Sequence, residues 1–184
     1  MITTEFLSQN EFNDYSVWLK MQDHETRRLY FGISANDYVI DSLIEKVLNK
    51  PDDHYVLVAK ENKKWVGTIH IAVSGAQVEF GMIVHEDHRG QGIANLMLDE
   101  AITWARNRGY KELFMHCMST NTATRHLCEK NGLATTNMLG DTEVNMSLTP
   151  PNIITLSKEA AFKQRNVFHM FLQNSQNLYQ ELYG

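Results

Sequence analysis

At 184 residues, 43% hydrophobic and 21% charged, the chain has the make-up of a soluble globular protein of one domain, or at most one and a half, long enough to bury about 70% of its unfolded surface. A net charge of −5 argues against a general nucleic-acid binder, which carries a basic excess, and is compatible with a cationic partner such as an amine. Two cysteines fit a reducing compartment, Met1 to Phe12 holds no apolar core behind basic residues, and no apolar run nears the ~20 residues that cross a bilayer. The expectation is a cytoplasmic protein without nucleic-acid or membrane partners.

Ile2 to Leu7 reads as a first strand and Glu11 to Tyr30 mostly as helix, with Phe12, Tyr15, Trp18, Leu19 and Leu29 as its apolar positions. Phe31-Gly32 separates it from a second helix, Tyr38 to Leu48, which Ser34 or Asn36 can cap and Pro51 prevents from continuing. Tyr55 to Lys60 and Trp65 to Val73 read as strands joined by the polar turn Glu61-Asn62-Lys63-Lys64. Ser74-Gly75 then leads into Val78 to Val84, where Val78, Phe80, Met82 and Val84 alternate with Glu79, Gly81 and Ile83. These three strands predict an antiparallel meander.

A polar turn and the loop Arg89-Gly90-Gln91-Gly92-Ile93-Ala94 follow, opening a helix from Ile93 to Arg108 with Ile93, Met97, Ala101 and Ala105 at helical spacing and Gly109 as its stop. A helix of that length lets the strand Glu112 to Cys117 lie parallel to Val78–Val84 through a right-handed crossover. Leu133 to Met138 and Thr142 to Leu148 suggest a hairpin around Leu139-Gly140-Asp141. Pro150-Pro151 interrupts the pattern. Ser157 to Tyr183 reads as one long helix with Ala161, Phe168, Phe171, Leu172, Leu178 and Leu182 as its apolar stripe. The expected organisation is a domain over 1–149 and a helical extension over 150–184, which packs on that domain or pairs in a homodimer.

The glycine loop carries the chemistry. Gly90 and Gly92 let the backbone turn tightly and approach a ligand, and the first amides of the following helix are unpaired at the positive end of its dipole. With the charge of Arg89, this is a seat for a phosphate or pyrophosphate. Gly90-Gln91-Gly92 is also half of a dinucleotide fingerprint, but the third glycine is replaced by Asn95, and the next strand ends on Cys117 and Met118 without an acid. No Walker lysine follows the glycines.

The loop resembles the acyl-CoA pyrophosphate loop of the GNAT N-acetyltransferase superfamily. Its pattern of Arg or Gln, two residues, Gly, one residue, and Gly or Ala is met by Arg89, Gly92 and Ala94. Asn121 to Gly132 resembles the next helix of that family, which often ends Glu-Lys-x-Gly-Phe; here Leu133 stands for the Phe. The resemblance is good from about His54 to Leu148, looser before it, and absent from the last few dozen residues. It implies a mixed α/β fold, with an antiparallel meander and a central parallel pair flanked by helices, to which the C-terminal helix read above is an extra element. It further implies acetyl-CoA as co-substrate, with no metal, in the splay between Val78–Val84 and Glu112–Cys117. Backbone groups near Met82, Ile83 and Val84 would pair with the pantetheine arm, and Arg89, Gly90, Gln91, Gly92, Ile93 and Ala94 would take the pyrophosphate. Asn121 would touch the cofactor, cap its helix, or both. The implied activity is transfer of an acetyl group to a primary amine of an unidentified small molecule, peptide or protein, by direct attack in a ternary complex.

Neutralising a lysine-like amine of pKa ~10.4 at pH 7 costs roughly 4–5 kcal/mol, so a base helps. Glu79, the acid of the central strand, is the candidate, through a water; its other reading is an exposed strand glutamate or one held by Arg or Lys. At an ordinary pKa of ~4.3 the role needs burial or a relay. Where the family commonly has a tyrosine as general acid, this chain has Cys128. A cysteine can donate a proton but is more often a small buried hydrophobe. The missing tyrosine leaves a second reading open, a non-catalytic acyl-CoA-binding or regulatory module. His116 reads as a core histidine before a catalytic one. His85, Glu86, Asp87 and His88 read as a solvated turn rather than a metal cluster, with His88 able to stand beside the cofactor.

Overall fold

The two-residue alternation over Val78–Val84 becomes the middle strand of a seven-stranded mixed sheet. The computed structural model describes residues 1–138 and 141–183, with side chains described for all of these except 137, 138, 141, 170, 173, 174 and 176–183. The sheet runs β1-β2-β3-β4-β5-β7-β6. It comprises β1 (Ile2–Phe6), β2 (His54–Glu61), β3 (Lys64–Ser74), β4 (Gln77–Val84), β5 (Glu112–Met118), β6 (Ala134–Met138) and β7 (Asp141–Ser147). β1 to β4 are antiparallel neighbours, as the short polar turns require. β4 and β5 are parallel, but only from Gln77↔Glu112 to Glu79↔Phe114. β5 meanwhile stays paired with β7 along its whole length to Met118↔Asp141. Past Glu79 the two central strands therefore part, and the edge of β4 that faces away from β3 loses its neighbour. The apex of the β6–β7 hairpin lies outside the described residues.

Helices cover both faces. α1 (Phe12–Lys20), α2 (His24–Phe31) and α3 (Asp37–Asn49) lie on one side, where Phe12, Tyr15, Leu19, Ile40 and Val47 are buried against Val56, Val58 and Ile83. α4 (Ile93–Asn107) and α5 (Thr122–Lys130) lie on the other, where Met97, Leu98, Ala101 and Ala105 pack on Leu57, Ile69, Ile71, Val78 and Phe80. The alternation along β4 thus sends Val78 and Phe80 to one core and Ile83 to the other.

The single helix expected over Glu11–Tyr30 is two helices. Asp23 takes an extended conformation and its carboxylate accepts the Thr26 amide at 2.9 Å, an N-cap that starts α2 afresh. Gly32, at φ 71°, ends α2 in the left-handed region that glycine enters at little cost.

The last helix, α6 (Ile153–Tyr183), begins before Ser157, because Asn152 and Thr155 cap it: the Asn152 side chain accepts the Thr155 amide at 2.9 Å. Its packing also differs from the expected stripe. Thr155 and Phe162 are buried, whereas Ala161, Phe168 and Phe171 are exposed, and the side chains of Leu178 and Leu182 lie outside the described set. Polar contacts carry much of its docking on β1 and α4. Lys158 pairs with Asp99 at 2.5 Å, and Asn107 donates to Glu159 at 2.7 Å. Asn166 Oδ1 accepts the Thr4 amide at 3.2 Å, and Arg165 lies 3.8 Å from the buried Glu100. A stripe read from hydropathy alone misses a seam made this way. No described helix is long and apolar enough to cross a membrane.

Candidate active site

The parting of β4 and β5 opens a cleft of about 510 Å³, whose walls are the end of β4, the start of α4 and one side of α5. Met82, Ile83, Val84, Arg89, Gly90, Gly92, Ile93, Ala94 and Asn121 all line it. The unpaired edge of β4 offers main-chain N–H and C=O groups there, which a ligand with an amide arm can meet as a further strand would. Gly90 and Gly92 stand at φ 75° and 80°, and no side chain caps α4 at Gly92, so the first amides of a fifteen-residue helix open towards the cleft. The Arg89 side chain is held by two bonds, Nη2 donating to Thr26 Oγ1 and Nε to the Val84 carbonyl at 3.3 Å. Lys130 lines the same cleft, and no Asp or Glu is among the described residues lining it. On an acidic chain, an acid-free cleft with two cations and an open helix start is a fit for pyrophosphate. Gln91 is the exception among the loop residues: its side chain turns back and donates to the Asp87 carbonyl at 3.3 Å. Asn121 caps α5, accepting the Thr124 amide at 3.1 Å, and lines the cleft as well.

A second cleft, of about 840 Å³, lies on the α1–α3 side of the sheet, between α3 and the strands β3, β4 and β5. Glu79, Gly81, His54, His70 and His116 line it, with Lys46 and Lys50 from the end of α3. Glu79 is exposed there. Tyr30, at the end of α2, lines both clefts. Its ring lies so close over Gly81 that a β-carbon at that position would come within 2.8 Å of it, and its hydroxyl is 3.1 Å from that of the fully buried Tyr15. Burial, opposed by the hydrogen bond from Tyr15 and helped by the Glu79 charge, pushes the Tyr30 hydroxyl up to about 12. Nothing in the local pattern around Tyr30 marks it, because its position depends on the break at Asp23 and on a glycine in a distant strand.

His54 Nδ1 and His70 Nε2 are 3.0 Å apart, so one donates and the other accepts. Burial lowers both imidazoles, that of His70 to about 4. Between that value and the ordinary ~6.5 the unfolded chain binds the extra proton. Stability therefore falls as pH drops through this window, by up to roughly 3 kcal/mol at its lower end. His70→Asn is expected to flatten the loss of melting temperature between pH 6.5 and 4; an unchanged slope would refute this origin.

Cys128 faces the core rather than either cleft. It is fully buried, its thiol is 3.9 Å from the Met115 sulfur, and burial pushes it up to about 12. The expected proton-donor position is thus packed away from the site, because the helical face that carries Cys128 is the one α5 turns to the sheet. In the turn after β4, His85 lies 3.7 Å from Asp87, and His88, which lines the first cleft, lies 3.4 Å from Glu61. Among the described residues no three His, Cys, Asp or Glu side chains converge on one point.

A central parallel pair that splays beside a glycine loop and an uncapped helix defines an acyl-CoA-type binding fold. The profile of the acetyltransferase (GNAT) family matches residues 13–133, and the chain belongs to that family. No curated protein matches the sequence. Solved structures share the fold at low identity. The GNAT domain of S. lividans PAT is 14% identical with a TM-score of 0.68, over 79% of this chain and 89% of that one. The PaiA N-acetyltransferase from Thermoplasma acidophilum, in complex with coenzyme A, is 20% identical with a TM-score of 0.63, over 80% and 99%. The spermidine N-acetyltransferase from Vibrio cholerae, in complex with CoA and spermine, is 14% identical with a TM-score of 0.65, over 80% and 95%.

Proposed function

We propose that this protein transfers an acetyl group from acetyl-CoA to a primary amine. The observation that carries the reading is the acid-free cleft where β4 leaves β5, with the Gly90–Ala94 loop and the start of α4 at one end and Tyr30 at the other. Acetyl-CoA supplies the activated acyl group. Main-chain groups of Met82–Val84 hold its pantetheine arm, and the Arg89–Ala94 loop, with Lys130, holds its pyrophosphate. The amine arrives from the second cleft, where Glu79 takes its proton through a water. Tyr30, which borders both clefts, donates a hydrogen bond where charge gathers on the departing sulfur. A hydroxyl held protonated to about pH 12 acts as a standing donor. It takes the place that Cys128, buried in the core, cannot.

Calorimetric titration with acetyl-CoA, with NAD and ATP as controls, tests the reading directly. Selective micromolar binding is expected; no binding to folded protein would remove it. The second reading, a non-catalytic acyl-CoA module, is favoured by the burial of Cys128, and the two part on thiol release once amines are added. Glu79→Gln is expected to keep acetyl-CoA affinity and depress turnover below about pH 8. An unaltered pH–rate profile would take the base role from Glu79.

A further inference from the structure

On the reading above the amine enters by the larger cleft, and the charges of that cleft bear on what else the amine carries. Lys46 sits in the last turn of α3 and Lys50 just past its end; both line the cleft and both are exposed. Among the described residues neither has a carboxylate within ion-pair distance, whereas Lys20, Lys60, Lys158 and Lys163 each have one. Glu79 is the only Asp or Glu among the described lining residues, so two lysines face one carboxylate on a chain of net charge −5. Burial keeps His54 and His70 in the imidazole form at neutral pH, against the pull of Asp53 at His54, where the Lys50 charge adds to the effect of burial. A polyamine, cationic at each nitrogen, would bring a second ammonium into a cleft that these lysines already make positive, where like charges repel. An amine with an anion a few atoms away meets both signs of charge at once.

We propose that the acceptor is a small amine that also bears a carboxylate or a phosphate, its amine end drawn to Glu79 and its anion to Lys46 and Lys50. In the transfer the N–acetyl bond forms as the C–S bond breaks; of the two protons the ammonium loses, one passes through the water to Glu79 and on to solvent, and the other leaves on CoA as free thiol. Thiol release therefore counts turnovers.

The proposal rests on the acetyl-CoA reading, and the test separates the two. The full chain, first shown to bind acetyl-CoA, is given L-glutamate, L-aspartate, O-phosphoethanolamine, spermidine and butylamine, and thiol release is followed. At least one of the three anion-bearing amines is expected to exceed spermidine and butylamine tenfold or more in kcat/KM, the carboxylates and the phosphate telling the two anions apart. Lys50→Glu, outside the helix body, should cut that preference tenfold or more and leave acetyl-CoA affinity within twofold. Lys46→Gln should cut it in the same direction. Preference for spermidine, equal loss on all amines in the lysine variants, or no thiol release with any of the three anionic probes would overturn the proposal. Absence of acetyl-CoA binding at the outset would instead remove the parent reading.

Discussion

Gly92→Asp is expected to weaken acetyl-CoA binding roughly 30- to 150-fold, about 2–3 kcal/mol, in a protein that still folds. Gly92 stands at φ 80° at the first turn of α4, with no atom within 4 Å of where a β-carbon would point. Space is thus available and the backbone cost is that of the left-handed region, about 1–2 kcal/mol. The carboxylate would stand among the unpaired amides that are read here as the pyrophosphate seat, placing like charge against like. Gly92→Asn isolates the electrostatic part, because asparagine tolerates positive φ and brings no charge. Titration calorimetry on the pair should show most of the loss with Asp and little with Asn. Equal loss in both would reduce the effect to backbone strain, and unchanged affinity in both would move the pyrophosphate elsewhere.

Tyr30→Phe is expected to lower turnover by about 100-fold while acetyl-CoA affinity changes less than threefold, the pattern of a donor used mainly as the transition state forms. The ring stays over Gly81, so the shape of the junction between the clefts is preserved. The hydroxyl of Tyr15 loses its partner 3.1 Å away, and leaving a buried polar group unpaired costs about 1–3 kcal/mol of stability. Tyr15→Phe separates the two effects: alone it should leave turnover nearly intact, and combined with Tyr30→Phe it should recover stability without recovering rate. If Tyr15→Phe proved as slow as Tyr30→Phe, the pair would be acting by packing, and Tyr30 would lose its role as donor.

The glycine loop was readable because its chemistry is local. The spacing of Arg89, Gly92 and Ala94 and the apolar repeat of the helix behind them lie in one short stretch, and the same stretch forms the cleft wall. The meander and crossover followed from turn lengths, which leave few ways for strands to meet. Local signals failed where a side chain has two competing uses. Asp23 reads as one more polar residue on a helix surface, yet as an N-cap it cuts that helix in two. The α6 stripe failed because its seam pairs Asn166 with Thr4, Arg165 with Glu100 and Glu159 with Asn107 besides burying Phe162, and hydropathy is blind to polar pairing.

By itself, then, the sequence determined the fold class, the family and the glycine loop that forms a cleft wall, all of which depend on contacts between near neighbours or on repeats of period two and 3.6. The tertiary structure alone decided which side chains meet at the two clefts. Cys128 is carried into the core by the face that α5 must bury, and Tyr30 reaches Gly81 because α2 is set on the opposite side of the sheet. Lys46, Lys50 and Glu79 come to share one cleft for the same reason. These juxtapositions join segments far apart in the chain, and only the burial of two separate cores brings them together.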